Sequence, residues 1–314
     1  MTKREEFRKN GYVIIKNSFE KKEIEDLRSL CFEEFKKLNQ IDDSNEINLE
    51  IQRQIFTKSF LQNPNLLNPL FKKSIIDEVK KVLGDDYISF ADFQLNNNFH
   101  SPIWHTDSQS IGFSTKYLYH QSFNIAKIGF YLQENDNTYG GQLDIIPGSH
   151  LPTFLGVSSP IKLKSRYGKV SHLQLLALKI RNIFLKKISI NVAPGDLVLF
   201  HGLLWHRSSQ PDWSKVKQID RYGIKNPPLN KTKFMFQWEV SENNEFASYY
   251  ATHQLRRNHK KFNEAAEIKL ENLHESTKAI FKTHNVNFKT YLDLKIPIHN
   301  KLKSKDGTPI IFNN

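Results

Sequence analysis

The sequence contains little of what several large classes of protein require. It has a single cysteine, Cys31, so no intramolecular disulfide can form, which is typical of a reducing compartment. No apolar run approaches the roughly 20 residues that a transmembrane helix needs. The first ten residues are charged and no apolar segment follows them, so we expect no secretory signal and predict a cytoplasmic protein.

Nucleotide-binding patterns are absent and acidic residues are outnumbered. Neither a GxGxxG sequence nor a P-loop occurs, so the common nucleotide-binding folds have no support. The 45 Lys and Arg residues exceed the 33 Asp and Glu, which gives a formal net charge of +12. This balance favours anionic partners, although a lysine-rich solvated surface explains it equally well. Because no nucleic-acid-binding module accompanies the charge, we expect no specific nucleic-acid partner.

Two kinds of hydrophobic pattern divide the chain. Apolar residues recur every three to four positions in 21–38, and 72–85 has a similar character, so both segments are predicted to be helical. From Tyr87 onward, short segments rich in β-branched and aromatic residues alternate with turns that contain Gly, Pro and Asn. Many short strands without intervening helices indicate a sandwich or barrel rather than a βαβ sheet.

We therefore predict one domain over the whole chain, mainly β with flanking helices. Residues 1–86 would form a mostly helical N-terminal part, 87–240 the β core, and 241–314 a helical C-terminal extension. Two insertions are expected within the core, at 155–187 and 211–229. No feature of the sequence indicates an oligomeric state.

The segment 160–187 is strongly basic. It contains eight Lys or Arg residues and no Asp or Glu, and its second half, 173–187, is apolar with basic residues interspersed. Such a pattern is typical of an amphipathic helix. Three interpretations stay open: a helix packed on the outside of the barrel with its lysines in water, a lid that binds an anionic substrate, and a helix that rests on a membrane surface.

The main candidate for a functional site is the sequence WHTD (104–107). His105 and Asp107 are two residues apart, so on an extended chain both side chains point to the same side. An imidazole and a carboxylate that converge in this way can bind one metal ion. A third ligand would complete the two-His-one-carboxylate set, which leaves metal positions open and, without cysteine, suits Fe(II) better than a structural zinc site.

The third ligand is expected on a later strand of the same barrel. The sequence APGDLVLFHGLLWHRSS (193–209) contains a turn, a β-type segment and two candidates, His201 and His206. His206 follows an apolar run and precedes small polar residues, as expected where a strand emerges at the mouth of a cavity. An HxD pattern that is followed by a turn, a strand and a histidine is much more specific than HxD alone.

These segments resemble the phytanoyl-CoA dioxygenase (PhyH) family of Fe(II)- and 2-oxoglutarate-dependent oxygenases. The resemblance is carried by WHTD, by GGQLDIIPGSH (140–150) and by PGDLVLFHGLLWHRSS (194–209). The opening GYVIIKNSFEKKEIEDLR (11–28) is similar to the strand and helix with which the family begins. The resemblance implies a double-stranded β-helix (a jelly roll, cupin-like) whose open end holds Fe(II).

The resemblance also implies roles for single residues. By position, His105, Asp107 and His206 match the family's metal ligands, so His201 is set aside. Ser208 matches a hydroxyl group that helps to hold the far carboxylate of 2-oxoglutarate. Upstream, Gln94 lies on a strand where a glutamine often contacts this cosubstrate.

The sequence departs from the family at the cation that binds the far carboxylate of 2-oxoglutarate. The family usually has an arginine there, whereas Lys233 occupies the basic position in this chain. Lysine can neutralise a carboxylate but cannot form the bidentate contact of arginine. Lys231 and Arg221 are the alternatives. Phe130 lies on a strand where the family often has an active-site aromatic residue.

The function implied by the resemblance is that of a dioxygenase. Such an enzyme uses Fe(II), 2-oxoglutarate and O₂ to hydroxylate a C–H bond of a small molecule or biosynthetic intermediate, and it releases succinate and CO₂. The positive charge of the chain favours an anionic substrate. Two alternatives stay open: a non-catalytic cupin-like module that binds an anionic ligand, and a cupin enzyme that uses another metal without 2-oxoglutarate.

Overall fold

The N-terminal part of the protein is mostly helical. The computed structural model describes residues 1–40, 54–107, 120–135, 138–151, 171, 176, 180, 184–216, 219–220, 223–224, 228–255 and 268–295. The first described elements are α1 (Lys3–Asn10), β1 (Tyr12–Ile15), α2 (Lys21–Gln40), β2 (Gln54–Phe56), α3 (Thr57–Gln62), α4 (Pro64–Leu67), a 3₁₀ helix (Asn68–Phe71) and α5 (Lys73–Leu83). The helices predicted over 21–38 and 72–85 are confirmed as α2 and α5.

Strands dominate the middle of the chain, as predicted. They are β3 (Ile88–Asn97), β4 (Ile125–Tyr131), β5 (Leu143–Ile145), β6 (Ile188–Ile190), β7 (Leu197–His201), β8 (His206–Ser208), β9 (Ile219–Asp220), β10 (Gly223–Ile224) and β11 (Phe234–Ser241). After β11 come α6 (Glu245–Gln254), α7 (Glu275–Thr283) and β12 (Asn287–Lys289), and short 3₁₀ helices lie at Leu229–Lys231 and Leu270–Asn272.

Two sheets form the core of the described structure. The larger has the strand order β1-β7-β4-β11-β3-β12, with β2 also paired to β3, and the smaller has the order β6-β5-β8. Except for the parallel pair β12–β3, these neighbours are antiparallel. Apolar side chains of both sheets, including Tyr131, Leu143 and Val198, belong to one buried cluster between them. The fold is the double-stranded β-helix expected from the sequence, with helices added at both ends.

Alternation along the strands gives the larger sheet two different faces. On one face, Phe130 of β4 stacks on Phe236 of β11, and both belong to the main hydrophobic cluster shared with the N-terminal helices. On the other face, the neighbouring positions Lys127 and Tyr131 of β4 and Gln237 of β11 line a pocket between the sheets. The strand register therefore decides which side chains reach the pocket.

The larger sheet extends beyond the predicted core of residues 87–240. Strand β1 pairs with β7 at one edge, and β12 from the C-terminal part pairs with β3 at the other. Such pairings between distant segments are decided by packing, which local sequence patterns do not report. The described residues of the predicted insertion 211–229 include the ribbon of β9 and β10.

The basic segment 160–187 lies largely outside the described residues. Of its described residues, Leu176, Ile180 and Phe184 are exposed. Its three interpretations therefore stay predictions. Within the described part of the chain, no helix combines the length and the apolar character that crossing a bilayer requires.

Candidate metal centre

The structure brings His105, Asp107 and His206 together beside the pocket, as predicted. One ligand atom from each residue can be chosen so that all three lie within 4.8 Å of one another. Nε2 of His105 is 3.9 Å from Oδ1 of Asp107, and Nε2 of His206 is 3.7 Å from Oδ2. Two donors that each lie about 2.0–2.2 Å from one ion are at most about 4.4 Å apart, and both of these distances lie within that limit.

Reciprocal backbone hydrogen bonds hold the two histidines side by side. The N–H of each donates to the carbonyl oxygen of the other, at 3.0 Å in both directions. Two residues further along β8, the N–H of Ser208 donates to the carbonyl of Ser101 at 2.8 Å. These backbone hydrogen bonds therefore fix the spacing of the two imidazoles.

Both imidazoles are oriented by carbonyl groups of their own chain segments. Nδ1 of His105 lies 2.8 Å from the carbonyl oxygen of Ile103, and Nδ1 of His206 lies 2.9 Å from that of Leu204. Because a carbonyl oxygen can only accept, each Nδ1 carries the proton and each Nε2 presents a lone pair. Burial lowers the pKa of His206 to about 4, so its ring is neutral at pH 7. This is the tautomer and charge state that binds a metal ion.

A buried lysine determines the charge state of Asp107. Burial by itself would raise the pKa of this carboxyl group, but the charge of Lys127, with contributions from the two histidines, holds it well below its usual range. Nζ of Lys127 lies 3.3 Å from Oδ2 of Asp107. One ionised carboxylate and two Nε2 lone pairs form a donor set that fits a divalent cation such as Fe(II).

A second buried cation lies in the same pocket, which has a volume of about 320 Å³. Lys233 is 6% exposed, its Nζ donates to the carbonyl of Phe99 at 3.4 Å, and it lies 5.4 Å from the centre of the Tyr131 ring. Burial lowers the pKa of Lys233 to about 7. Among the described residues, no carboxylate forms an ion pair with it within 4.0 Å, so its charge is available to an anionic ligand.

A glycine makes room for this lysine. Gly141 has a φ of 84°, in the left-handed region that L side chains rarely adopt, and a Cβ there would lie 2.8 Å from Cδ and 2.9 Å from Nζ of Lys233. A side chain at position 141 would therefore push the lysine out of its position.

The other predicted cosubstrate residues also line the pocket. Oγ of Ser208 accepts a hydrogen bond from the N–H of Ser101 at 3.1 Å, which leaves the hydroxyl proton for a ligand. Gln94 donates through Nε2 to Asn96 Oδ1 at 2.8 Å. Of the alternative anchors, Lys231 does not line the pocket and Arg221 lies outside the described residues. The roles of Ser208, Gln94 and Lys233 stay predictions.

His201, the other candidate for the third ligand, has a structural role. Its Nε2 donates to the carbonyl of Phe123 at 2.7 Å, and its Nδ1 accepts from the N–H of Leu203 at 3.0 Å. Both ring nitrogens are therefore used within the protein. Burial also lowers the pKa of His201 to about 3, so the ring stays neutral.

Two residues of β4 that line the pocket, Lys127 and Tyr131, were not predicted from the sequence. Phe130 was predicted instead, but its ring is fully buried in the hydrophobic core. A signal for Lys127 was available, because a lysine inside the apolar strand IAKIGFY must either be buried with a partner or reach a cavity.

Comparisons with known proteins agree with this fold. Among solved structures, EctD from S. alaskensis in its apo form is 17% identical, with a TM-score of 0.51, and the match covers 91% of this chain and 86% of that one. The apo form of the non-haem monooxygenase ThoJ is 15% identical, with a TM-score of 0.50 and 76% of each chain covered. At such identities the likeness shows the fold alone. A comparison with curated proteins found no match.

The family comparison goes further. The model of the phytanoyl-CoA dioxygenase (PhyH) family matches residues 7–212, which is well over half of the chain. The matched region contains His105, Asp107 and His206, the three residues that meet beside the pocket. The chain therefore belongs to the phytanoyl-CoA dioxygenase family and is an enzyme of the oxygenase kind.

Proposed function

We propose that the protein is an Fe(II)- and 2-oxoglutarate-dependent dioxygenase that hydroxylates a C–H bond of a small molecule or biosynthetic intermediate. The observation that supports this best is a single pocket lined both by the His105, Asp107 and His206 set and by the buried cation of Lys233. Bound Fe(II) would supply O₂ activation coupled to the conversion of 2-oxoglutarate into succinate and CO₂.

In the proposed complex, one end of 2-oxoglutarate lies beside the metal residues and the other lies beside Lys233. Lys127, beside the metal residues, and Tyr131, beside Lys233, are four residues apart on β4 and mark these ends. The keto acid end of the ligand would face the open metal positions. Its far carboxylate would lie against Lys233, where Ser208 can donate its hydroxyl proton, which no described residue accepts.

Each protein group has a defined task in this arrangement. The two imidazoles would hold the metal through Nε2, because carbonyl groups accept their Nδ1 protons. Asp107 would contribute the negative charge, and a set of three protein ligands is typical of sites that also bind a cosubstrate. Lys233 would neutralise the carboxylate at a buried position, where a lower dielectric constant strengthens that contact.

The proposal can be tested before any substrate is known. Purified protein is titrated with Fe(II) in the absence of O₂, and 2-oxoglutarate is then added while visible absorption and heat of binding are recorded. We expect one Fe(II) per chain and binding of 2-oxoglutarate to the loaded protein, and succinate should be released under O₂ once a substrate is identified. His206→Ala should abolish metal uptake, whereas His274→Ala, at an exposed histidine on the N-terminal cap of α7, should not.

The outcomes separate the proposal from its alternatives. Metal uptake without binding of 2-oxoglutarate would contradict the proposal and favour a cupin enzyme that uses a metal in another way. Failure to bind any divalent metal would contradict it as well and favour a non-catalytic binding module. The small-molecule nature of the substrate and the cytoplasmic location stay predictions beside the proposal.

A further inference from the structure

Lys127 lies at a position where a charged side chain is unusual. It lies on β4 among apolar residues and a glycine, opposite Phe200 of β7 and Glu239 of β11. Its side chain is 18% exposed and lines the pocket beside Asp107. Burying an ammonium group is costly unless the charge is paired, so the groups around its Nζ decide what it does.

The ammonium group has more hydrogen-bond donors than the described residues use. It carries three N–H groups. Among the described residues, its ion-pair partners within 4.0 Å are Asp107, with Oδ2 at 3.3 Å, and Glu239, with Oε1 at 3.9 Å. The second distance is too long for a hydrogen bond. At least one N–H group is therefore available to a ligand in the pocket.

Two tyrosine hydroxyl groups contact Glu239. The Tyr250 hydroxyl lies 2.8 and 2.7 Å from its two carboxyl oxygens, and the Tyr291 hydroxyl lies 3.0 Å from Oε2 and 2.9 Å from Oδ2 of Asp92. A tyrosine hydroxyl has one proton, so both contacts of Tyr291 are hydrogen bonds only if one carboxyl group is protonated. Burial and Asp92 raise the pKa of Glu239 to about 8, which agrees with one proton shared by the two acids.

Counting charges shows what the metal end of the pocket lacks. Asp107 contributes one negative charge, Lys127 one positive charge, and the Asp92–Glu239 pair one negative charge. These charges sum to −1, and a divalent ion changes the sum to +1. A carboxylate beside the ion would then make the metal end neutral, and the far carboxylate would do the same for Lys233. In a buried site, neutrality avoids a large desolvation cost.

We propose that Lys127 is an anion-positioning residue, which binds the metal-end carboxylate of 2-oxoglutarate while Lys233 binds the far one. This inference rests on the proposed function and adds a residue to it. It also gives Lys127 two opposed effects. Its charge repels the incoming metal ion, yet it attracts the carboxylate that follows.

The opposed effects make the role testable by binding measurements alone. Wild type, Lys127→Met, Lys127→Arg and Lys233→Met are loaded with Fe(II) without O₂, and each is titrated with 2-oxoglutarate and with 2-oxobutyrate. The second ligand keeps the keto acid end but lacks the far carboxylate. As a matched control, Lys215→Met removes an exposed lysine that lies 3.2 Å from Oδ2 of Asp212, a Lys–Asp pair of similar length outside the pocket.

The expected pattern is specific to each variant. Lys127→Met should weaken binding of both keto acids by about ten- to a hundredfold, because a charge-assisted contact is lost. Its Fe(II) affinity should stay the same or rise. Lys233→Met should weaken only 2-oxoglutarate, Lys127→Arg should recover most of the affinity, and the control should match wild type. Lys127→Gln replaces Lys127→Met in the comparison should the latter not fold.

Other results would overturn the inference. Equal keto acid affinity in wild type and Lys127→Met would show that Lys127 does not contact the ligand. A joint loss of metal and keto acid binding in Lys127→Met would show a purely structural role through Asp107. In both cases the wild-type protein still binds 2-oxoglutarate, so the proposed function stands. Loaded wild-type protein that binds neither keto acid would overturn both the function and the inference.

Discussion

Lys233 should make the binding of 2-oxoglutarate depend on pH in a known direction. Burial lowers its pKa from 10.5 to about 7. Only the ammonium form can neutralise a carboxylate, and that form is present below the pKa and is lost as the pH rises through it. The affinity for 2-oxoglutarate is therefore expected to be highest in mildly acidic solution and to fall above about pH 7.

The size of the effect follows from the protonated fraction. With a pKa of about 7, this fraction is about 0.9 at pH 6 and about 0.03 at pH 8.5. The apparent affinity scales with the fraction of protein in the competent form, so Kd should be about thirtyfold higher at pH 8.5 than at pH 6. The ligand's carboxyl groups ionise well below this range. His206, with a pKa lowered by burial to about 4, stays neutral throughout it.

The assay is a titration of Fe(II)-loaded protein with 2-oxoglutarate, without O₂ and with metal saturation checked at each pH. Lys233→Arg serves as the matched variant, because arginine keeps its charge over this range and its affinity should be flat. A constant wild-type affinity between pH 6 and pH 8.5 would refute Lys233 as the anchor. The same decline in both proteins would show that another group titrates.

Three further results are expected. Asp107→Ala should lower the affinity for Mn(II), measured by calorimetry. Loss of a group that only supports a metal ligand costs about 10–100-fold in affinity, and loss of a ligand itself should cost more. Near-normal binding would contradict the assigned ligand set. Gly141→Ala should weaken 2-oxoglutarate binding about tenfold by displacing Lys233. Gly148→Ala should not, because a Cβ at that glycine, which also has a positive φ, would have no neighbour closer than 3.7 Å. Equal losses in both variants would mean that backbone strain alone is responsible. Phe93→Ala should cost about 3–5 kcal/mol in urea unfolding, because this ring is fully buried; a cost below about 1 kcal/mol would argue against its place in the core.

The metal ligands could be predicted because the patterns that mark them lie within short segments of the sequence. His105 and Asp107 are two residues apart in an extended segment, and His206 follows a turn and an apolar strand. The structure adds the reciprocal backbone hydrogen bonds of the two histidines, which join segments about a hundred residues apart. Such a pairing follows from tertiary packing, so the residues alone could only suggest it through the family resemblance.

The place of Lys127 could be predicted only in part, because strand register is not a local property. A lysine inside the apolar strand IAKIGFY indicates a buried partner or a cavity, but a shift of one position would exchange the pocket-facing set for the core-facing set. Pairing with β7 and β11 determines that Lys127 and Tyr131 face the pocket and that Phe130 faces the core. For the same reason, the sequence did not reveal that β1 and β12 extend the sheet.

The charges of the pocket bear on the expectation of an anionic substrate. The proposed cosubstrate contacts use Lys127 and Lys233, and Arg207, which also lines the pocket, donates to Oδ2 of Asp144 at 3.0 Å. Among the described lining residues, no cation is then left for a second anion. The remaining polar lining includes four carboxamides, which donate and accept hydrogen bonds without charge: Gln54, Gln94, Asn96 and Gln237. The net charge of +12 is a property of the whole chain, so the anionic substrate stays a prediction that the described lining by itself does not support.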